Sequence, residues 1–156
     1  MLSQFEQSKK KWVGSHNAID VWLHERQDLL VKYCELAGIP PYQRKVDGLP
    51  DLDSIRLFCE ILMDYISAGH FEVYDKIIAE TSDTTSSKSL ADRIYPQIAL
   101  LTEEALAFND EFAEANTDRS LETFDINLSK LGQNLMERFE LEDELIHSLH
   151  SEALLG

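Results

Sequence analysis

The sequence has few cysteines and no long apolar run. Two of its 156 residues are cysteine, Cys34 and Cys59, and both lie in apolar patterns of helical spacing rather than in a CxxC pair. We expect reduced core thiols in a reducing compartment, not a disulfide framework. The opening segment MLSQFEQSKKKWVG lacks the apolar region of a secretory signal, and no run approaches the roughly 20 apolar residues that span a bilayer. These absences predict a cytoplasmic protein without a membrane-inserted segment.

Basic residues are also scarce. The 14 Lys and Arg residues face 29 Asp and Glu residues, for a net charge of −15 spread along the whole chain. Direct binding to nucleic acid would require the opposite sign, because affinity for DNA comes largely from neutralising phosphates. An acidic field favours encounter with a basic partner, such as the face that a DNA-binding protein presents to DNA. The same charge could serve solubility alone.

Signatures of catalysis and of cofactor binding are missing as well. The sequence contains no GxGxxG, Walker A or GxSxG pattern. Di-iron bundles need two Glu-x-x-His motifs, and here there is one, Glu144 to His147. Cys34 and His24 are ten residues apart in one predicted helix, so their side chains point in different directions and form no catalytic pair. We therefore predict no enzyme activity, no metal site and no cofactor.

The apolar residues recur at helical spacing, and no strand-like alternation occurs between turn signals. A chain of this length fits one domain, here 1–156. The predicted fold is all-α, a single-domain four-helix bundle with an extra short N-terminal helix and a kinked helix at Pro96. Glycine, proline and capping residues predict the boundaries of the segments. The first helix covers 16–37, is capped by Ser15 and is stopped by Gly38 and Pro40, and a loop follows to Pro50. The second helix is capped by Asp51 or Asp53 and is broken or bent at Gly69, after which a short helix runs through Ile77 and a loop from Thr81 to Ser89. A helix over 90–115, a turn over 116–119 and a last helix from Leu121 to about His150 complete the chain.

Two helices carry a continuous apolar seam. The spacing of its members is 4,4,3,4,3,4 in the third long helix and 3,4,3,4 in the last, which is typical of a bundle interface. The seam residues are Leu90, Ile94, Ile98, Leu101, Ala105, Phe108 and Phe112, followed by Leu121, Phe124, Leu128, Leu131 and Leu135.

Charged residues interrupt the apolar stripes at four positions. Arg138 and Glu142 stand where two more seam residues belong, Arg26 interrupts the first helix, and Asp64 follows Leu57 and Ile61 in the second. Buried charges are costly unless they pair, so these four residues are predicted to form a shared network or to line a cleft. A salt-bridge network that fixes helix register is the structural interpretation. The functional interpretation is a cleft that takes a basic side chain of a partner, with Trp22, Phe71 and Tyr74 as aromatic anchors.

Two long blocks carry a resemblance to a known family. They are D-x-W-L-H-x-R-x-x-L-L-V-x-Y-x-x-L-x-G-I from Asp20 to Ile39 and D-Y-x-S-A-G-H-F-x-x-Y-x-x-I from Asp64 to Ile77. Further matching positions are Ile94, Pro96 and Gln97, then Leu128, Gly132, Arg138, Phe139, Leu141 to Asp143, Leu145 and Ile146. Together the blocks resemble the Rsd/AlgQ family over most of the chain.

The resemblance implies a cytoplasmic, stationary-phase transcription regulator. Such an anti-sigma factor binds the C-terminal, promoter-recognising domain of the housekeeping sigma factor and blocks its association with core RNA polymerase and the −35 element. The residues carried over as the partner-binding set are Asp64, Ser67, His70, Phe71, Trp22, Arg26, Leu30 and Tyr74. Weak self-association stays open, and the alternative function is a metal- or small-molecule-binding bundle that uses Arg26, Asp64, Arg138 and Glu142.

Overall fold

The computed structural model describes residues 13–42, 44, 50–74, 85–115 and 121–155. Within these ranges every regular element is helical, which confirms the predicted all-α class and the four-helix bundle. The elements are α1 (Val13–Ala37), α2 (Leu52–Ala68), a π-helix (Gly69–Tyr74), α3 (Thr85–Phe112) and α4 (Phe124–Leu155). The predicted short N-terminal helix, the turn over 116–119 and the position of Ile77 lie outside the described residues.

Helix α1 ends where the sequence predicted. Gly38 has φ +69°, and the amides of Gly38 and Ile39 donate to the carbonyls of Glu35 and Cys34. This pair of hydrogen bonds caps a helix C-terminus and requires the left-handed conformation that glycine adopts at little cost. The predicted N-terminal cap is wrong, because α1 begins at Val13 and Ser15 lies inside its first turn.

Helix α2 begins at the first of its two predicted caps. Asp51 has extended backbone angles and its carboxylate accepts from the amide of Ser54 at 2.7 Å. Asp53 lies inside the first turn instead. At the other end Gly69 keeps helical backbone angles, and the chain continues as a π-helix without the predicted break.

The boundaries of α3 and α4 differ from the predicted ones. Helix α3 starts at Thr85, so the predicted Thr81 to Ser89 loop is wrong for its last five residues, and α3 ends at Phe112 instead of residue 115. It continues through Pro96 as one helix. Helix α4 starts at Phe124 and extends to Leu155, beyond the predicted His150.

Each long helix packs against the next one along the chain, and α4 closes the bundle against α1. The predicted seam is confirmed: every member is buried except Leu90, which is partly buried. At one end, Phe58, Phe108, Phe112 and Phe124 form a cluster of tilted and edge-to-face rings, the arrangement that aromatic quadrupoles favour. The interior thus comes from all four long helices.

Cys59 is buried and Cys34 is half-buried, and both are free thiols. Burial raises the pKa of the Cys59 thiol to about 11. A thiol with a raised pKa carries little thiolate and reacts slowly. The prediction of a core thiol is therefore confirmed for Cys59, whereas Cys34 lies outside the core.

Candidate functional site

One buried carboxylate joins three helical elements. Glu142 of α4 is 1% exposed, and its Oε1 accepts from the Tyr65 hydroxyl at 2.5 Å and from Arg26 Nη2 at 3.3 Å. Its Oε2 accepts from the hydroxyl of Tyr74 and lies 3.3 Å from Nε of Arg138, one turn earlier on α4. Glu142 thereby connects α4 to α1, α2 and the π-helix.

The two arginines of this cluster are held differently. Arg26 donates from Nε to the Tyr65 hydroxyl at 3.0 Å and from Nη1 to Asp143 at 2.6 Å, and its guanidinium lies 4.7 Å from the centre of the Phe139 ring. Arg138 is 1% exposed, and its contact with Glu142 is an ion pair without hydrogen-bond geometry at Nε. Arg26 thus closes the cluster towards solvent, while Arg138 is fully buried beside Glu142.

Burial determines the protonation of the tyrosines. Burial, reinforced by the negative charge of Glu142, raises the pKa of Tyr65 and of Tyr74 well above the ordinary value. Burial also raises the pKa of Glu142, although Arg138 and the two hydroxyls act in the opposite direction. The tyrosine protons therefore stay available for donation to the carboxylate.

Of the four charges predicted to share a network, the structure brings Arg26, Arg138 and Glu142 together and leaves Asp64 apart. Among the described residues no hydrogen bond or ion pair joins Asp64 to this network, and Asp64 is exposed on the outer side of α2. The network consists of two arginines, two tyrosines and Glu142, and Asp143 pairs with Arg26 at its exposed edge. Its donors already surround Glu142, which makes it suited to fixing helix register and poorly suited to binding a cation.

The part of the chain that the structure describes also lacks a set of metal ligands. No group of three or more His, Cys, Asp or Glu side chains converges there. His147, half of the single Glu-x-x-His motif, is exposed. The metal-bundle alternative therefore has no ligand set among these residues.

Asp64 instead belongs to an open groove between α1 and α2. The groove has a volume of about 350 Å³, and its lining residues are Glu25, Asp28, Val31 and Lys32 of α1 with Ile61 and Asp64 of α2. Its cation, Lys32, pairs with Glu35 at 3.3 Å. Leu57 is 45% exposed and lies one turn before Ile61 on the same side of α2. The α1/α2 groove thus combines apolar side chains with acidic ones.

Comparison with known proteins gives one consistent result. Residues 1–150 match the family described as "Regulator of RNA polymerase sigma(70) subunit, Rsd/AlgQ". The chain belongs to the Rsd/AlgQ family. It is similar to "Regulator of sigma D" of Yersinia enterocolitica, with 38% identity over 94% of this chain and 88% of the relative. The protein of that name from Yersinia pseudotuberculosis is 38% identical over 94% of this chain and 87% of the relative. The Rsd/AlgQ family is one of sigma-factor regulators and not an enzyme family.

The two blocks that indicated the Rsd/AlgQ family also build these two features. The first lies in α1 and its C-terminal cap, and the second begins at Asp64 near the end of α2 and continues through the π-helix. Between them they supply Arg26, Tyr65 and Tyr74 to the internal network. They also supply most of the lining of the α1/α2 groove.

The predicted partner-binding residues divide into exposed and buried members. Asp64, Ser67, His70 and Leu30 are exposed. Trp22 and Tyr74 are buried, at 1% and 3% exposure, so these two rings are not presented to a partner. Arg26 is mostly buried and engaged in the internal network, and the side chain of Phe71 lies outside the described residues.

Trp22 has an internal role that explains its burial. Its ring stacks on Tyr65 at 5.1 Å and its Nε1 donates to the carbonyl of Tyr65 at 3.2 Å. Gly69 leaves room for it, because a Cβ there would lie 3.1 Å from the indole. The predicted anchor is therefore a packing residue between α1 and the junction of α2 with the π-helix.

Sequence reasoning missed Tyr65 and the α1/α2 groove. Tyr65 lies in the apolar stripe of α2 with Ile55, Phe58 and Leu62, yet a buried tyrosine hydroxyl needs a polar partner, and Glu142 was an available acceptor. Of the groove residues, Glu25, Asp28 and Val31 lie on the outer side of α1, where single acidic or apolar residues are common. Only the packing of α2 beside α1 makes them one surface.

Proposed function

We propose that this protein is an anti-sigma factor whose α1/α2 groove, continued by Ser67 and His70, binds the C-terminal domain of the housekeeping sigma factor. One observation carries the proposal: Asp64, within a family block, is an exposed carboxylate on a groove that also presents Val31, Ile61 and further acids. A helix-turn-helix domain that meets phosphates is basic, and its arginine or lysine would pair with Asp64. The relatives named "Regulator of sigma D" support the same partner.

Occupation of that domain explains how the protein would act. The C-terminal sigma domain contacts both core RNA polymerase and the −35 element, so a partner that covers its basic face blocks both associations. Competition between protein and DNA for one surface needs neither catalysis nor a cofactor. The protein itself makes no contact with nucleic acid in this mechanism.

The internal network fixes the position of the two helices that form the groove. Arg26 of α1 and Tyr65 of α2 are hydrogen-bonded to each other and to Glu142, and Tyr65 follows Asp64 directly. A rigid junction between α1 and α2 preorganises the groove and lowers the ordering cost of binding. Arg26 and Tyr65 therefore act in binding as positioning residues, without touching the partner.

The test is a calorimetric titration with the isolated C-terminal domain of the host's housekeeping sigma factor. We expect saturable 1:1 binding, and Asp64→Ala should weaken it by at least tenfold, which corresponds to about 1.4 kcal/mol or more, for loss of one partner of a charge pair. Asp110→Ala is the matched control, because Asp110 is exposed on α3 and its removal changes net charge equally. Val31→Ser should also weaken binding, since it removes an apolar contact from the groove.

Urea denaturation of each variant distinguishes lost contacts from lost folding. If the folded wild-type protein does not bind the sigma domain, the proposed function is wrong. If Asp64→Ala and Asp110→Ala weaken binding equally, only the overall charge matters and the α1/α2 groove is not the interface.

A further inference from the structure

A second groove runs between α3 and α4. Its volume is about 520 Å³, larger than that of the α1/α2 groove and within the range of ligand sites. Its floor consists of the buried residues Leu101, Phe108, Leu131 and Asn134. In a bundle where each helix packs on the next and α4 closes on α1, the α3/α4 groove lies on the opposite side from the α1/α2 groove.

The contacts between α3 and α4 fix which residues face each other across this groove. Arg93 binds Glu144, Asn134 binds Glu104, and Thr123 binds Glu111. In each pair the two residue numbers add up to nearly the same value. As the number rises along α3 it falls along α4, so the two helices are antiparallel. One wall has Glu104, Ala107 and Glu111 at spacings of 3 and 4, and the other has Lys130, Gln133 and Glu137 at the same spacings.

An exposed apolar residue continues each wall. Leu100 lies one turn before Glu104 and is 63% exposed, and Ile126 lies one turn before Lys130 and is also 63% exposed. Because the helices are antiparallel, Leu100 is level with Glu137 at one end of the groove, and Ile126 is level with Glu111 at the other. The ends are therefore about 16 Å apart, the rise of eleven helical residues.

The charge of the groove is acidic. Its lining contains the carboxylates of Glu104, Glu111 and Glu137 against one cation, Lys130. Glu104 accepts from the Asn134 amide at 2.8 Å and Glu111 accepts from the Thr123 hydroxyl at 3.2 Å, and neither carboxylate forms an ion pair with a described residue. A basic occupant would supply the missing positive charge.

The floor also holds an acceptor that the described residues leave unused. Asn134 is 4% exposed, and its Nδ2 donates to the Leu101 carbonyl at 2.9 Å and to Glu104. Both partners are acceptors, so the orientation of the amide is determined. Its Oδ1 has no partner among the described residues. A buried acceptor without a donor is costly, and because this atom has no exposed surface, a donor that enters the groove satisfies it once the side chains that cover it move.

We propose that the α3/α4 groove is a second docking surface, which takes a basic amphipathic helix of another protein. Two apolar side chains of that helix, three turns apart, would cover Leu100 and Ile126. Lysine or arginine side chains between them would face Glu104, Glu111 and Glu137, and one of them would donate to Asn134. Since this surface is opposite the α1/α2 groove, both partners bind at the same time.

The probe is a synthetic helical peptide of about 18 residues, long enough to form a helix, made of leucine, alanine and lysine with two leucines three turns apart. It is titrated into the ¹⁵N-labelled full chain, and binding is followed by amide chemical shifts. We expect saturable shifts concentrated between Leu101 and Glu111 and between Asn127 and Glu137. Shifts concentrated around Val31 and Ile61 instead would overturn the proposal, because the peptide would then occupy the α1/α2 groove.

Two variants with equal charge separate a site from general attraction. The groove triple, Glu104→Gln with Glu111→Gln and Glu137→Gln, should weaken peptide binding by about tenfold. The control triple changes exposed glutamates outside the groove lining, Glu103→Gln, Glu114→Gln and Glu140→Gln, and should change it less than about twofold. Equal weakening by both triples would mean non-specific attraction to an acidic protein, and the proposal would fail.

The apolar contribution has its own control. Leu100→Ser with Ile126→Ser should weaken peptide binding by about fivefold, whereas Met136→Ser, at a residue 60% exposed and outside the groove lining, should not. Loss of affinity with Met136→Ser alone would contradict the assigned surface. These measurements need no sigma domain, so their outcome does not depend on whether the proposed function is correct. A peptide titration into the sigma complex then tests simultaneous binding, and displacement would contradict it.

Discussion

Gly132 marks a close approach between α1 and α4. A Cβ at this position would lie 2.2 Å from the hydroxyl oxygen of Tyr33 and 2.8 Å from Cζ of that ring. The hydroxyl of Tyr33 donates to the carbonyl of Leu128, on the same side of α4, at 2.9 Å. The glycine is therefore required by the space that the tyrosine occupies and not by its backbone conformation.

We predict that Gly132→Ala destabilises the protein, although alanine favours helix. Overpacking costs about 1–3 kcal/mol, and the displaced Tyr33 loses a hydrogen bond worth about 1 kcal/mol. The measurement is the free energy of unfolding in urea. Tyr33→Phe removes the hydroxyl that clashes, so the double variant should be more stable than the sum of the two single effects. Strictly additive effects would contradict the assigned contact.

The buried tyrosines predict an alkaline limit to stability. The pKa of Tyr65 is raised on folding, while in the unfolded chain it is close to 10.0. The folded state therefore binds the proton more tightly, and the contribution is complete below pH 10 and is lost as the pH rises above it. Above pH 10 the free energy of unfolding of the wild-type protein should fall with pH more steeply than that of Tyr65→Phe. The two slopes should differ by about 1.4 kcal/mol per pH unit.

The check is a series of urea denaturation curves between pH 8 and 11, read as differences between variant and wild type. Tyr42→Phe is the control, because Tyr42 is only half-buried. At neutral pH Tyr65→Phe should still be the less stable protein, since Glu142 loses a donor. A pH dependence identical to that of the wild type would mean that the Tyr65 hydroxyl is not protected in the folded state.

At this scale, three of the four charges that the sequence predicted to cluster lie together in the structure. Arg26, Arg138 and Glu142 occupy positions in the core stripes, and burial brings them together. The prediction placed Asp64 wrongly because the core stripe of α2 runs through Ile55, Phe58, Leu62 and Tyr65. Asp64 comes directly before Tyr65, and its side chain is therefore rotated by about 100° from the stripe. Which edge of a broad stripe faces the core depends on the neighbouring helices.

At the scale of single elements, the start of α2 depends on one side chain. Asp51 accepts from the Ser54 amide, and its negative charge lies at the positive end of the helix. We predict that Asp51→Ala lowers the free energy of unfolding by about 1 kcal/mol. Asp53→Ala is the matched control, because the Asp53 side chain is 98% exposed and its ion pair with Arg56 is long, at 3.9 Å. Similar losses for both variants would attribute the effect to charge and not to the cap.

The π-helix is the element that the sequence indicated least well. Gly69 predicted a break or bend, yet its backbone angles are helical. Its small size admits Trp22, and the wider turn that follows places Val73 and Tyr74, two consecutive residues, in the core. The spacing of apolar residues over six positions does not distinguish a π-helix from an α-helix.

The start of α3 shows a second limit of pattern reading. The serine- and threonine-rich segment favours turns and caps, but residues from Thr85 onward are helical. The apolar seam begins only at Leu90, so periodicity gives no signal for the first turn of this helix. A helix boundary that no apolar residue marks is the least predictable part of the fold.

At the scale of the whole molecule, the charge of −15 should accelerate encounter with a basic partner. We predict that the association rate with the sigma domain falls by about tenfold or more when NaCl is raised from about 50 to 500 mM, while dissociation changes by less than about threefold. Stopped-flow or biosensor kinetics would measure both rates. An association rate that does not respond to salt would rule out electrostatic steering for this complex.

The whole bundle was more predictable than its surfaces. Regular seams in α3 and α4 and a capped α2 indicated four packed helices, because core spacing is a property of each helix alone. The two grooves were not predictable, since each is formed by the outer edges of two helices. Their opposite placement follows from the order of packing around the bundle.

The contacts that close the bundle join parts of the chain that are far apart in sequence. Arg26 and Asp143 are separated by 117 residues, and Tyr33 and Leu128 by 95. Loop-closure entropy grows with such separation, so these contacts cost more to form than those between neighbouring helices. We expect the α1–α4 seam to assemble late in folding, after α3 and α4 have paired. Substitutions such as Tyr33→Phe should then accelerate unfolding and leave the folding rate nearly unchanged.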